Sequence, residues 1–227
     1  MNTDALKQQA GEFAADFIDS GMVIGLGTGS TAIFATRRIA QRLRSGDLHA
    51  ISTLPTSLAT EAAAAELGIP LTSLATHPRI DITIDGADEV DPDFNVIKGG
   101  GGAHLREKII AQATERLVIV VDESKLSEQL GMNWPVPVEV VPFNWESQAA
   151  YLRALGGTPA LRMAGDRPFH TDQDNLILDC AFGPIADPAA LDAALNSRAG
   201  IVEHGLFINM ARDVVVAGAN GVRHLRK

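Results

Sequence analysis

Between residues 22 and 122, strand-length apolar runs alternate with helix-length segments, and this alternation restricts the chain to a layered α/β fold with a mostly parallel sheet. Ahead of it, Leu6, Ala10, Phe13, Ala14, Phe17 and Ile18 recur at helical spacing and predict one amphipathic helix. Met22–Gly27 reads as a strand, Thr31–Arg44 as a helix, His49–Leu54 as a strand, and Ser57–Leu67 as a helix stopped by Gly68. A short strand is expected at Leu71–Leu74. Ile80, Ile82 and Ile84 alternate with Asp81, Thr83 and Asp85, the period-two pattern of a further strand. Ala103–Arg116 reads as a helix and Leu117–Asp122 as a buried strand.

The pattern changes near residue 132. WPVPVEVVP carries three prolines, so 136–141 is expected at a sheet edge. Helix 145–155, strands 158–163 and 175–182, helix 188–197 and strand 201–207 complete a β-α-β-β-α-β order, the ferredoxin-like arrangement. Asp213–Ala217 is expected to return to the main sheet. Two domains follow: 1–131 plus 208–227, and a smaller α+β domain at 132–207.

A formal net charge of −9 argues against nucleic acid or an anionic membrane as partner. The single cysteine, Cys180, excludes an internal disulfide and fits a reducing compartment. It falls within an apolar run and reads as core. No targeting segment or membrane-length apolar stretch is visible, so a soluble, cytoplasmic protein is expected.

Three stretches carry chemistry. In GLGTGST (25–31), a strand runs through glycines into a helix. Free N–H groups there, with the hydroxyls of Thr28, Ser30 and Thr31, suit a phosphate or carboxylate. Read alone, the same loop also serves as a tight turn without a ligand. The glycine spacing does not match a dinucleotide fingerprint, and no lysine follows the glycines as a phosphate-loop NTPase would require. In DGADEVD (85–91), Asp85 and Asp88 bracket Gly86-Ala87 at a strand end, where two carboxylates can relay protons between hydroxyls. Glu89, Asp91 and Asp93 read as a solvated turn. No metal-ligand spacing accompanies them.

In KGGGGAHLREK (98–108), four consecutive glycines are costly in conformational entropy and suit backbone lying against a ligand. Lys98 can neutralise an oxyanion. Glu107 lies about one turn into the next helix; it can point back at the cavity or simply favour the helix dipole. His104 shares its face and reads as packing. Lys125 follows a strand end and could add a cation or remain solvated.

In this order the motifs closely resemble those of ribose-5-phosphate isomerases of the A type. The resemblance runs on through VVDESK, PVEVVP, DNLILD and the GLF–DVVVAG ending. It implies reversible interconversion of D-ribose 5-phosphate and D-ribulose 5-phosphate in the pentose phosphate pathway, without metal or other cofactor, by a homodimer. It also implies a Rossmann-like main domain with a ferredoxin-like insertion. Substrate-binding residues by this resemblance are Thr28, Gly29, Ser30, Thr31, Asp85, Gly86, Ala87, Asp88, Lys98, Gly99, Gly100, Gly101 and Lys125. Glu107 takes the place of the proton-transferring base, with Asp85, Asp88 and Lys98 as its catalytic partners. The Thr28–Thr31 loop and Lys125 each remain candidates for the phosphate.

Two positions depart from the family pattern. Leu54 and Pro55 stand where small polar residues are usual, and His104 where an apolar residue is. Two other classes fit less well. A non-enzymatic sugar-phosphate sensor has no need of Glu107 beside Asp85 and Lys98, and a nicotinamide-dependent dehydrogenase needs the absent glycine spacing.

Overall fold

The structure, a computed structural model, describes residues 3–227. In chain order the elements are α1 (Thr3–Ala15), β1 (Val23–Leu26), α2 (Ala32–Ser45), β2 (Ser52–Pro55), α3 (Leu58–Glu66), β3 (Ile80–Asp85), β4 (Glu89–Val90), β5 (Val96–Ile97) and α4 (His104–Gln112). There follow β6 (Thr114–Asp122), β7 (Val136–Val140), α5 (Trp145–Ala154), β8 (Thr158–Leu161), β9 (Met163–Ala164), β10 (Arg167–Pro168) and β11 (Leu176–Ala181). The last elements are α6 (Pro188–Asn196), β12 (Ile201–His204), β13 (Leu206–Phe207), β14 (Ala211–Gly218) and β15 (Gly221–Arg226). Among the described residues, no helix is long and apolar enough to cross a membrane.

Packing divides the chain into two compact units. The first comprises 1–87, 106–125 and 210–227. Its sheet has the order β15-β14-β6-β3-β1-β2, parallel throughout except for the β14–β15 hairpin. Leu6, Ala10 and Ala14 of α1 and Ala35 and Ile39 of α2, spaced three to four residues apart, join Ile24, Ile82, Val118 and Val215 of the strands in one core. A smaller cluster of Leu54, Ile80 and Ile110 ties α4 to the sheet. Helix α2 ends at Gly46, which takes the left-handed conformation (φ 84°) and donates its N–H to Leu43 O. Because β2 and β3 lie on opposite sides of β1, the strand order reverses between β1 and β3. At such a reversal a crevice opens beyond the strands' carboxyl ends.

The second unit comprises 88–105 and 126–209. Its antiparallel sheet has the order β12-β7-β11-β8. With α5 and α6 this is the ferredoxin-like β-α-β-β-α-β unit that the sequence order anticipates. Its core gathers Val136, Val138, Leu152, Leu178 and Leu195. A small sheet of order β13-β5-β4 brings 88–97 into the same unit.

Several expectations are corrected. β7 is central and buried along its whole length, not an edge strand. Pro137 is tolerated because the β12 ladder ends at Val138, so its missing N–H falls beyond that pairing, while its carbonyl accepts from Gly205 N–H. β3 forms where the alternation places a strand, with Asp81 exposed but Thr83 and Asp85 as buried as the isoleucines, in a strand flanked on both sides. Leu71–Leu74 contributes only a single bridge, Leu71 to Thr53. The helix expected to reach Arg116 stops at Gln112, since Thr114–Arg116 already belong to β6. The expected strand 201–207 breaks at Gly205, and β13 pairs with β5 instead of β7.

Candidate active site

In the first unit, β1 and β3 end side by side, and the side chains at their ends are fixed by hydrogen bonds. Thr28 N–H donates to Asp85 Oδ1 (3.0 Å), as does Gly86 N–H (2.8 Å). Asp85 is 1% exposed, so its carboxylate is oriented by backbone donors and not by solvent. A Cβ on Gly27 would lie 2.4 Å from Asp85 Oδ1, so only glycine lets the β1 end approach this closely. Thr28 Oγ1 donates to Ser57 Oγ (2.8 Å) and lies 2.8 Å from Thr56 Oγ1 and 3.0 Å from Thr60 Oγ1. Gly29 and Ser30 are exposed, and Thr31 is buried at the start of α2. Glu107 is buried in the first turn of α4, and Lys125 is half-buried in the 3₁₀ turn after β6.

In the second unit, Lys98 is 3% exposed, with its Nζ 5.7 Å from the centroid of the Phe207 ring, at cation–π distance. Its backbone N–H donates to Gly205 O (2.9 Å). Asp88 N–H donates to Ile97 O (2.8 Å), and its Oδ2 accepts from Gly100 N–H (2.7 Å). A Cβ on Gly100 would lie 2.6 Å from Asp88 Oδ1, so an alanine there would displace the carboxylate. Gly86 and Ala87 are half-buried, Gly99 is buried, and Gly100 and Gly101 are exposed.

His104 lies fully buried behind the glycine run, its Nε2 3.7 Å from Glu139 Oε2. Burial pushes the Glu139 carboxyl up, against hydrogen bonds from Asn175 and Thr171 that pull it down. Nor is the acidic tail of the DGADEVD stretch a solvated turn. Glu89 is fully buried and accepts N–H groups of Gly131 and Asn133 (2.8 and 3.0 Å), and Asp91 accepts two hydrogen bonds from Asn95. Only Asp93 of the three is exposed. Burial pushes the Cys180 thiol up to about 12, which leaves it an inert core residue.

The sequence reading misses the hydroxyls of Thr56, Ser57 and Thr60. Leu54 in that stretch is core, but the residues after it surround Thr28. A usable signal exists: Ser57 is the N-cap of α3, accepting Thr60 N–H at 3.0 Å, which fixes where the hydroxyls lie.

A mostly parallel sheet whose strand order reverses at β1, with a buried carboxylate fixed by backbone N–H groups at the end of β3, has the architecture of α/β enzymes that bind small ligands at strand ends. A family profile described as Ribose 5-phosphate isomerase A (phosphoriboisomerase A) matches residues 52–221. A ribose-5-phosphate isomerase A of Chloroflexus aurantiacus is 56% identical over 225 residues, covering 99% of this chain and 94% of that protein. A D-ribose-5-phosphate isomerase solved in complex with phospho-erythronic acid superposes with a TM-score of 0.97 at 38% identity, each chain fully covered. The ribose 5-phosphate isomerase of Plasmodium falciparum gives a TM-score of 0.95 at 41% identity, with 99% of each chain covered. This chain belongs to the ribose 5-phosphate isomerase A family, isomerases that interconvert ribose 5-phosphate and ribulose 5-phosphate.

Proposed function

We propose that this chain interconverts D-ribose 5-phosphate and D-ribulose 5-phosphate through a cis-enediolate, with Glu107 as the base. The observation that carries the reading is a carboxylate buried in the first turn of α4, nine residues after Lys98, in a chain of this family. Asp85, held by two backbone N–H groups, moves the proton that opens the furanose ring. Glu107 then takes the C2 proton, the C–H electron pair forms the C1–C2 double bond, and charge develops on O1. Lys98 and the N–H groups of the glycine run stabilise that oxyanion. O1 gains a proton and O2 loses one, a transfer assigned to Asp88, and Glu107 returns its proton to C1. The Thr28–Thr31 loop and Lys125 are the two candidates for the phosphate.

The same reading makes the enzyme a metal-independent cytoplasmic homodimer of the pentose phosphate pathway. It takes 1–131 plus 208–227 as the main domain and 132–207 as the inserted small domain, a division that differs from the packing units in that 88–105 pack with 126–209. Phospho-erythronic acid, bound by one relative, carries a carboxylate where the enediolate carries charge, so it should inhibit competitively here. The reaction run in deuterium oxide tests the mechanism. The ketose should acquire at most one solvent deuterium per turnover, at C1. Complete absence of solvent deuterium, with transfer of the C2 hydrogen undiluted at every turnover, would favour hydride migration and overturn the enediolate.

A further inference from the structure

The glycine run is held from behind by a side chain that the proposed mechanism does not use. Arg162 lies between β8 and β9 in the second unit. Its backbone is pinned on both sides, N–H to Ile177 O and carbonyl to Phe169 N–H, each at 2.9 Å. Its guanidinium forms a two-pronged pair with Asp179 of β11, Nε to Oδ2 at 2.8 Å and Nη2 to Oδ1. The remaining Nη1 donates to the carbonyls of Gly99 (2.8 Å) and Gly100 (3.2 Å). Both ring face and charge are used, because Phe169 lies 5.8 Å from the guanidinium carbon.

The consequence lies in peptide geometry. A trans peptide directs its carbonyl and the next residue's N–H to opposite sides. With the Gly99 carbonyl drawn onto Arg162, the Gly100 N–H is turned the other way, and it donates to Asp88 Oδ2 at 2.7 Å. One peptide unit therefore connects the Arg162–Asp179 pair to the Asp88 carboxylate. The Gly100 carbonyl is drawn to the same nitrogen, so the Gly101 N–H is turned likewise. Four glycines would otherwise leave these peptide planes free to rotate.

We propose that Arg162, held by Asp179, is a positioning residue for the isomerisation. It fixes the peptide planes of 99–101 before substrate arrives, setting Asp88 and the N–H groups of the run. This inference rests on the proposed function, in which that run and Asp88 serve the enediolate. A lysine cannot replace the guanidinium, since it lacks the planar fork that holds a carboxylate and two carbonyls together.

The test compares wild type, Arg162→Ala, Arg162→Lys, Asp179→Asn and Glu107→Gln for kcat and KM on ribose 5-phosphate, inhibition by phospho-erythronic acid, and melting temperature. Arg162→Ala should lose about 10- to 100-fold in kcat, as misplacement of catalytic groups does, with KM changed far less. Inhibition by phospho-erythronic acid should weaken in step with kcat. Arg162→Lys should recover only part of the loss, and millimolar guanidinium should restore activity to Arg162→Ala. A folded Arg162→Ala with wild-type kcat, or a loss that guanidinium does not relieve, overturns the inference. Should Arg162→Ala not fold, Asp179→Asn decides: a several-fold fall in kcat at constant KM supports the inference, and unchanged kcat overturns it. Full activity in Glu107→Gln would instead reject the proposed base and leave the Arg162 result to be read by itself.

Discussion

At the scale of single residues, His104 separates packing from chemistry. It is fully buried, faces Glu139 at 3.7 Å, and backs the glycine run without being one of the proposed reacting groups. His104→Leu should therefore leave turnover nearly unchanged. It should lower stability by about 1–3 kcal/mol, because Glu139 Oε2 loses the polar group it faces. Urea denaturation and steady-state kinetics on one preparation check this. A large fall in kcat at unchanged stability would give His104 a direct role. Residue position was legible in the sequence where spacing alone fixes it, as with Asp85 and Asp88 on either side of a strand-end turn. It was not legible for Glu89, whose carboxylate turns inward because Gly131 and Asn133 N–H groups, more than forty residues away, need an acceptor. Nor could it reveal Arg162, whose partners come from two separate stretches of chain.

At the scale of elements, one buried carboxylate ties three strands together. Asp213 of β14 accepts Arg116 Nε and Nη2 from β6 (2.8 and 3.0 Å) and lies 2.6 Å from His224 Nε2 of β15. Burial pushes the Asp213 carboxyl up, but the hydrogen bonds and charges of Arg116 and His224 outweigh it and hold it below its ordinary value. As pH falls, the unfolded chain therefore takes up this proton first. The stabilisation is complete above about pH 4, the ordinary carboxylate range, and is lost as pH drops through the lower folded value. Asp213→Asn should cost about 1.5–3 kcal/mol at neutral pH. The gap to wild type should narrow below pH 4; urea midpoints at pH 7 and pH 3 measure it, and a constant gap would contradict the assignment. Element type was largely readable from periodicity, because each helix and strand buries its own face. Position within a sheet was not. β7 looked like an edge because of its prolines, yet it is central, since the β12 ladder ends short of Pro137 while the β11 ladder runs past it. The final strand, β15, carries Arg223, His224 and Arg226 among its residues, and its polarity hid a strand that pairs only with β14.

At the scale of the whole molecule, each of the two units carries some of the residues proposed for the reaction. The first holds Thr28, Asp85, Glu107 and Lys125 on parallel-strand ends and a helix start; the second holds Asp88, Lys98 and the glycine run. Motif order along the chain was enough to place these residues at strand ends and helix starts, where local geometry is stereotyped. What motif order could not supply was the support around them, namely the hydroxyls about Thr28 and the clamp on the glycine carbonyls, both built from long-range contacts. The central claim is that Glu107 moves the proton. The most direct measurement is ribose 5-phosphate isomerisation in EDTA by wild type and Glu107→Gln, with folding checked by melting temperature. The account predicts an active wild type and a folded variant slowed about 100-fold or more. A folded Glu107→Gln that retains wild-type turnover would contradict it.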